Sequence, residues 1–302
     1  MKTYAVIDIG TNSARLMIAQ VSGRKIGSSY KTLSTIRVGE GMTQERRISQ
    51  AAMLRARAAL LGFKRIAQER GADSLLCFAT SAVRDAQNSD EFVRYIRLEC
   101  GIDIDILSGQ NEASLGFAGA VEKRGGMFDI GGGSTEVMTG SLQNVQFQES
   151  FRLGTVRCLQ MFPDADNADE AAFLGAHQLA ADTFAKLHES IGFTYVGIGG
   201  TATALAAIDL GLYEYDPDKV QGHRISLTRA QALCTTLKSK TKMQRQKIIG
   251  LEENRADVIV FGAIILLEFM KAVHASQIVV SDRDNLEGYL AMKLGHFQIH
   301  PG

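Results

Sequence analysis

The sequence predicts an α/β protein built from two related halves, and three observations lead there. Apolar strand-like runs alternate with helical stretches along the 302 residues. A pattern of strand, Gly-rich turn and strand occurs twice, 121 positions apart. The Gly-rich turns follow the ends of apolar runs, where α/β sheets collect their ligands. In the stretch AVIDIGTNSARLMI, Asp8, Ile9, Gly10, Ser13 and Met17 stand in register with Asp129, Ile130, Gly131, Ser134 and Met138 of FDIGGGSTEVM, and Arg15 and Glu136 coincide as charged positions. That interval suits a duplicated domain, because solenoid repeats run to about 20–50 residues. The expected domains are 1–124 and 125–302.

The chain opens on an apolar strand over residues 4–7, without the basic region, long apolar run and small-residue cleavage site of a signal peptide. After the first hairpin, ISQAAMLRARAALLGFKRIAQERG has helical spacing through Met53, Ala56, Leu60, Phe63 and Ala67 and stops at Gly71. SLLCFAT predicts a strand, followed by a polar loop to Asn88, a helix opened by Ser89 and Asp90, the strand IDIDIL, and a helix from about Gln110. The second half repeats the hairpin, adds a strand over residues 145–151 and predicts helix from Ala168 to Ser190. TYVGIGGTATALAA reads as a strand, a Gly-Gly-Thr turn and an Ala-rich helix start, whose free amides favour anions. VIVFGAIILLEFM is broken by Glu268 and too short to span a bilayer, so it predicts a buried helix.

Composition narrows the function classes. Hydrophobic residues at 45%, charged residues at 22% and three prolines describe a folded soluble chain with little linker. With 33 basic and 33 acidic residues the chain is not basic overall, so binding an anionic substrate requires locally concentrated positive charge, and neither a nucleic-acid nor a membrane partner is expected. Cys77, Cys100, Cys158 and Cys234 are widely spaced, which fits a reducing cytoplasm better than a disulfide framework or zinc knuckle. The six histidines, His177, His188, His223, His274, His296 and His300, show no metal-ligand spacing. KSKTKMQRQK, residues 238–247, holds five cations and no acid; it is either a track for a polyanion or a solvated helix face.

The Gly-rich turns carry the chemistry. In DIGGGSTEV, bare backbone lets amide N–H groups approach a phosphate, and Ser134 and Thr135 add hydroxyls; the alternative is an ordinary tight hairpin. For Gly199 and Gly200 the alternative is a close helix–sheet contact.

The stretches AVIDIGTNSARLMI, FATSAVRDAQN, ILSGQNEASLGFAGA, FDIGGGSTEV, GIGGTATALAA and NRADVIVFGA, in this order, resemble the exopolyphosphatase and guanosine pentaphosphate phosphohydrolase family over nearly the whole chain. The resemblance implies two actin-like (ribonuclease H-like) domains of the superfamily of acetate and sugar kinases, heat-shock chaperones and actin, with the active site in the interdomain cleft. It implies Mg²⁺-dependent hydrolysis of terminal phosphate from inorganic polyphosphate, with guanosine pentaphosphate as the alternative substrate, in a homodimer. Glu112 matches the family's base and Arg84 its phosphate-contacting arginine. Gly10, Thr11, Asn12, Ser13, Gly132, Gly133, Ser134, Thr135, Gly199, Gly200 and Thr201 match its phosphate loops, and Arg152 stands where some members carry an arginine. Asp129 and Glu136 match the acidic pair that holds Mg²⁺ directly or through water, and Asp8 is the corresponding acid of the first half, or else anchors its own turn. Surface ion pairs with Asp85 and Glu149 are the alternatives for Arg84 and Arg152. Arg255 either pairs with Asp257 or touches substrate.

Two positions depart from the family pattern: Asn111 replaces a second Glu, and Leu286 replaces a common Arg, with Arg283 nearby. The additional helical domains of longer members are not expected in the two halves read here. Two other classes compete: a kinase, which would require an acceptor-binding region, and a non-catalytic nucleotide sensor or assembly protein, against which Glu112 and both loop acids argue.

Overall fold

The computed structural model describes residues 1–23, 25–42, 46–163, 169–190 and 192–296. By its internal contacts the chain divides into two compact units, Met1–Leu115 with Asn285–Gly302, and Gly116–Asp284.

The first unit begins with an antiparallel meander of β1 (Lys2–Ile9), β2 (Ser13–Ser22) and β3 (Lys25–Thr35). β4 (Ser74–Ala79) pairs in parallel with β1, and β5 (Asp105–Ile106) with β4, giving the order β3-β2-β1-β4-β5. The apolar run at residues 4–7 of β1 is covered on both faces: Ala5 and Ile7, with Ile9, enter one core cluster and Val6 another. The helix α1 (Gln50–Glu69) is capped by Ser49, which accepts from the Ala52 N–H, and it buries all five residues expected from its spacing.

Two expectations change here. The polar loop before Asn88 contains the short helix α2 (Ser81–Asp85), whose Ser81, Ala82 and Val83 are buried, so tertiary packing supplies what propensity does not. After α3 (Ser89–Cys100), IDIDIL yields only the two-residue β5, because Ile102 and Ile104 pack into the core with α1 instead of extending the ladder. α4 (Gly109–Ala120) follows.

The C-terminal helix (Asn285–Lys293) returns to this unit, where Leu286, Tyr289 and Leu290 pack with Val6, Met17, Phe78 and Leu115. Gly288 is required there, since a Cβ would stand 1.9 Å from the Leu115 carbonyl oxygen. Glu287 is buried and paired with Lys31 of β3 at 2.8 Å. Leu286 therefore belongs to the core, and Arg283 is exposed.

The second unit repeats the meander with β6 (Gly125–Ile130), β7 (Thr135–Gly140) and β8 (Val145–Phe151), then α5 (Thr155–Met161) and α6 (Glu170–Phe184). Ala168, expected to open the latter helix, lies outside the described residues, as does His300, and nothing is described of the His188 side chain; α6 is capped by Asp169, and residues 185–190 continue as 3₁₀ helix. β9 (Tyr195–Ile198) runs parallel to β6 and passes directly into α7 (Gly199–Leu210), so the two glycines form its first turn. After α8 (Pro217–Val220), β10 (Arg224–Ser226), α9 (Leu227–Lys238), α10 (Lys242–Arg245) and α11 (Ile259–Ala272), β11 (Gln277–Val280) completes the order β10-β11-β9-β6-β7-β8.

α11 is the spine of this core: every residue from Ile259 to Met270 is buried, and Phe269 meets Phe128, Tyr195 and Phe184 at centroid distances of 4.6, 5.1 and 5.7 Å. Glu268 is tolerated because His177 Nδ1 (2.7 Å) and Lys271 Nζ (2.8 Å) bind its carboxylate. The cationic run 238–247 is not one solvated face. A Thr241 capping box breaks it, Arg245 is fully buried, and Lys238 and Lys242 pair with Glu170 and Asp257 at 3.6 and 3.5 Å. Among the described residues no helix is long and apolar enough to cross a membrane.

Candidate active site

In the first unit, the Gly-rich turn between β1 and β2 is closed by the Gly10 N–H donating to the Ser13 carbonyl at 3.0 Å. The segment after β3 takes its carbonyls: Thr11 C=O accepts from Gly39 N–H at 3.0 Å, and Asn12 C=O from Ile36 and Arg37 N–H at 3.0 and 2.8 Å. In a trans peptide the C=O and the next N–H point opposite ways, so the amides of Asn12 and Ser13 face away from that segment. The Thr11 and Ser81 hydroxyls lie 2.8 Å apart, fastening the turn to α2.

Glu112 sits in the first turn of α4, whose Asn111 N–H donates to Ser108 Oγ at 3.1 Å. Its residue is only 6% exposed, yet it carries an acid. Arg84 Nη1 donates to the carboxylate at 2.9 Å and the Thr80 hydroxyl donates as well, while the same Arg84 nitrogen reaches Leu107 C=O at 3.0 Å. Burial pushes the Glu112 carboxyl up to about 7, against the opposing pull of Arg84; the Asp8 charge reinforces the rise. The structure thus brings Asp8, Thr80, Arg84 and Glu112 together. Asp85 lies 3.8 Å from Arg84, the weaker of that arginine's two carboxylate contacts. Asp8 is ion-paired with Arg15, directly opposite it across the β1–β2 ladder.

In the second unit, the loop 131–134 is held in the same way. Gly131 N–H donates to Ser134 C=O at 2.9 Å; Thr155 N–H donates to Gly131 C=O at 2.9 Å, and Val156 and Arg157 N–H to Gly132 C=O at 2.9 and 3.0 Å. Gly154 lets this backing segment approach, since a Cβ there would meet the Gly132 carbonyl group at 2.5 Å. The Thr135 hydroxyl donates to Leu153 C=O at 2.7 Å, and Ser134 is buried.

Asp129 and Glu136 face each other across the β6–β7 ladder, 8% and 1% exposed. Ser150, the register partner of Glu136 on β8, donates to its Oε1 at 2.6 Å. The Asp129 carboxylate lies against Gly199, where φ is +75° and a Cβ would stand 2.3 Å from Oδ1. Gly200 underlies the Arg255 guanidinium, with a Cβ position 2.4 Å from Nη1. The two glycines therefore admit site side chains, and Thr201 completes the junction by donating to Ile130 C=O at 2.7 Å. Arg255 pairs with Glu252 at 2.7 Å, and Asp257 faces Lys242. Arg152 is exposed just beyond β8.

A hard divalent cation fits this second-unit pair and not its first-unit counterpart. Like charges placed directly opposite on neighbouring strands are destabilising unless a cation lies between them, and Mg²⁺ accepts one or two carboxylates while keeping water and phosphate oxygens as its other ligands. At the matching ladder position of the first unit, Arg15 already supplies the counter-charge to Asp8. Among the described residues no group of three or more His, Cys, Asp or Glu is arranged to hold an ion.

Sequence reasoning missed Thr80, Ser150, Arg157 and the contact of Arg255 with Gly200. Ser150 was reachable, because extending the three-strand register places it beside Glu136. Thr80 and Arg157 act through contacts that no local pattern reveals.

A bifunctional 3-dehydroquinate synthase/phosphatase of Fusobacterium nucleatum is 31% identical over 94% of this chain, which spans 45% of that protein's length. Exopolyphosphatase 2 of Mycobacterium tuberculosis is 29% identical over 94% of this chain and 96% of its own. The crystal structure of an exopolyphosphatase from Cytophaga hutchinsonii superimposes with a TM-score of 0.89 at 28% identity, covering 98% of this chain and 99% of that one. The model of the Ppx/GppA phosphatase family matches residues 17–297, and the chain belongs to that family.

Proposed function

We propose that this chain is an exopolyphosphatase that releases terminal phosphate from inorganic polyphosphate by water attack on phosphorus. The observation that carries the reading is Glu112: a buried carboxyl, held by Arg84 and Thr80 and raised to about 7, has the affinity of a general base working near neutrality. The Glu112 carboxylate takes the proton of the attacking water as oxygen bonds to the terminal phosphorus, and the bridging P–O bond breaks to leave the shortened chain. Arg84 both orients Glu112 and offers its remaining N–H groups to phosphoryl oxygens. In each unit the outward amides of the Gly-rich turn, and in the second also those of Gly199, Gly200 and Thr201 at the start of α7, are assigned to phosphoryl oxygens. Arg152, exposed beyond β8, is assigned to the incoming chain.

Asp129 and Glu136 would hold Mg²⁺, which when bound neutralises charge on the phosphoryl oxygens. Asp8 is assigned a secondary share, tuning Glu112 by its charge while Arg15 holds it. The second reading, a guanosine pentaphosphate 5'-phosphohydrolase, rests on the GppA half of the family description and uses the same groups on the same bond type. The proposed setting is a cytoplasmic homodimer of two domains divided near residue 125, on the family resemblance.

The test is phosphate release from long-chain polyphosphate and from guanosine pentaphosphate, with Mg²⁺ and with EDTA, for the protein and its Glu112→Ala variant. Metal-dependent release from polyphosphate that drops by about 10²–10⁴ in the variant supports the reading. Release from guanosine pentaphosphate alone selects the second, and release from neither substrate by a folded protein defeats both.

A further inference from the structure

We infer that Arg157 is a positioning residue for phosphate, acting through the peptide between Gly133 and Ser134; this rests on the assignment of loop 131–134 to phosphate. Three successive carbonyls of that loop are drawn to one side. Backbone N–H groups of α5 take Gly131 C=O and Gly132 C=O, and the third, Gly133 C=O, accepts from the Arg157 side chain, with Nε at 2.9 Å. The peptides are all trans, so each carbonyl fixes the direction of the next amide, and the N–H groups of Gly132, Gly133 and Ser134 are turned to the opposite side together. Among the described residues no backbone carbonyl accepts from these three amides. Convergent amides of this kind form an anion-binding concavity.

The duplicated hairpin isolates what Arg157 contributes. Asn12 stands at the place of Gly133, 121 positions earlier, and its carbonyl is held by two backbone amides, those of Ile36 and Arg37. In the second unit the backing backbone stops one carbonyl short, and a guanidinium side chain completes the set. Glycine at 133 makes the need acute, because its peptide has no side-chain steric preference to fix it. Arg157 thus orients the Ser134 amide through its Nε–H on the Gly133 carbonyl.

The experiment compares the protein with Arg157→Ala and Arg157→Met, reading kcat and KM for polyphosphate release and, separately, the Kd of tripolyphosphate by calorimetry. KM and Kd should rise about tenfold with kcat changed less than threefold, since one oriented amide is lost from ground state and transition state alike. Millimolar guanidinium should restore much of the loss in Arg157→Ala, which a merely structural defect would not allow, and should leave Arg157→Met unchanged. Unaltered KM and Kd in both variants, or a loss that guanidinium does not repair in a folded Arg157→Ala protein, overturns the inference. If the parent protein releases no phosphate from polyphosphate yet binds tripolyphosphate, and Arg157→Ala binds it more weakly, the exopolyphosphatase reading fails while the inference stands. If the parent binds no tripolyphosphate, the inference fails with it.

Discussion

Replacing Glu112 with glutamine should make the protein relatively more stable as pH rises, while removing its activity. Desolvation raises the folded-state carboxyl from an ordinary value near 4.5 to about 7, so between those values the folded protein binds a proton that the unfolded chain does not. Stability from this group is complete below pH 4.5 and is lost as pH climbs through 7. A rise from 4.5 to about 7 corresponds to roughly 3 kcal/mol between pH 4.5 and 7.5, at ~1.36 kcal/mol per pH unit. Urea unfolding of both proteins in EDTA at half-unit pH intervals reads it directly, because the amide of the Glu112→Gln variant has no proton to exchange and every other group is shared. The stability of the parent minus that of Glu112→Gln should fall by about 3 kcal/mol across the window and then level off. A flat or rising difference would refute a raised Glu112. In the same pH range kcat/KM of the parent should climb to a plateau with a midpoint near 7 if Glu112 is the base proposed, since a general base acts only when ionised.

Other substitutions probe the frame around the site. Phe269→Ala removes the ring that meets Phe128, Tyr195 and Phe184 and should destabilise the second unit by about 3–5 kcal/mol in denaturant titration. Gly154→Ala drives a methyl group into the Gly132 carbonyl; phosphate release should drop at least tenfold and stability by about 1–3 kcal/mol, and retention of full activity would show that the loop's position is unimportant. Lys31→Met removes a charged hydrogen-bond partner of the buried Glu287, and a loss of about 1.5–3 kcal/mol at pH 7 is expected in denaturant titration.

Much of the frame was legible because its elements obey strong local rules. The α1 spacing named the residues that are buried, and the strand ending in Asp followed by glycines located both hairpins. What escaped depends on tertiary context. β3, KIGSSYKTLST, is too polar to announce a strand, and it forms because β2 offers an open edge. α2 is too short for any periodic signal, and IDIDIL shows strand alternation that the helical core outcompetes. At the site, residue types were readable and partners within the chain were not: Arg255 packs on Gly200 and pairs with Glu252, the acid three residues before it, and not with the expected Asp257.

The two hairpins share a backbone and differ in what faces the acid. Asp8 and Asp129 end equivalent strands, and directly opposite them stand Arg15 and Glu136. One substitution of charge sign therefore gives equivalent ladders opposite demands. In the first unit Arg15 supplies the counter-charge at the strand ends, and what remains of the Asp8 field adds to the rise at Glu112. In the second the same geometry sets two buried carboxylates face to face, with the Ser150 hydroxyl on one and the start of α7 against the other, a donor set of the kind a hard cation takes. The same division appears in the turns, where backbone amides finish the first and a guanidinium finishes the second. On the proposed roles, duplication supplied two Gly-rich turns, and divergence at the ladder position after each would separate the unit of the assigned base, Glu112, from the unit whose acids would hold the metal.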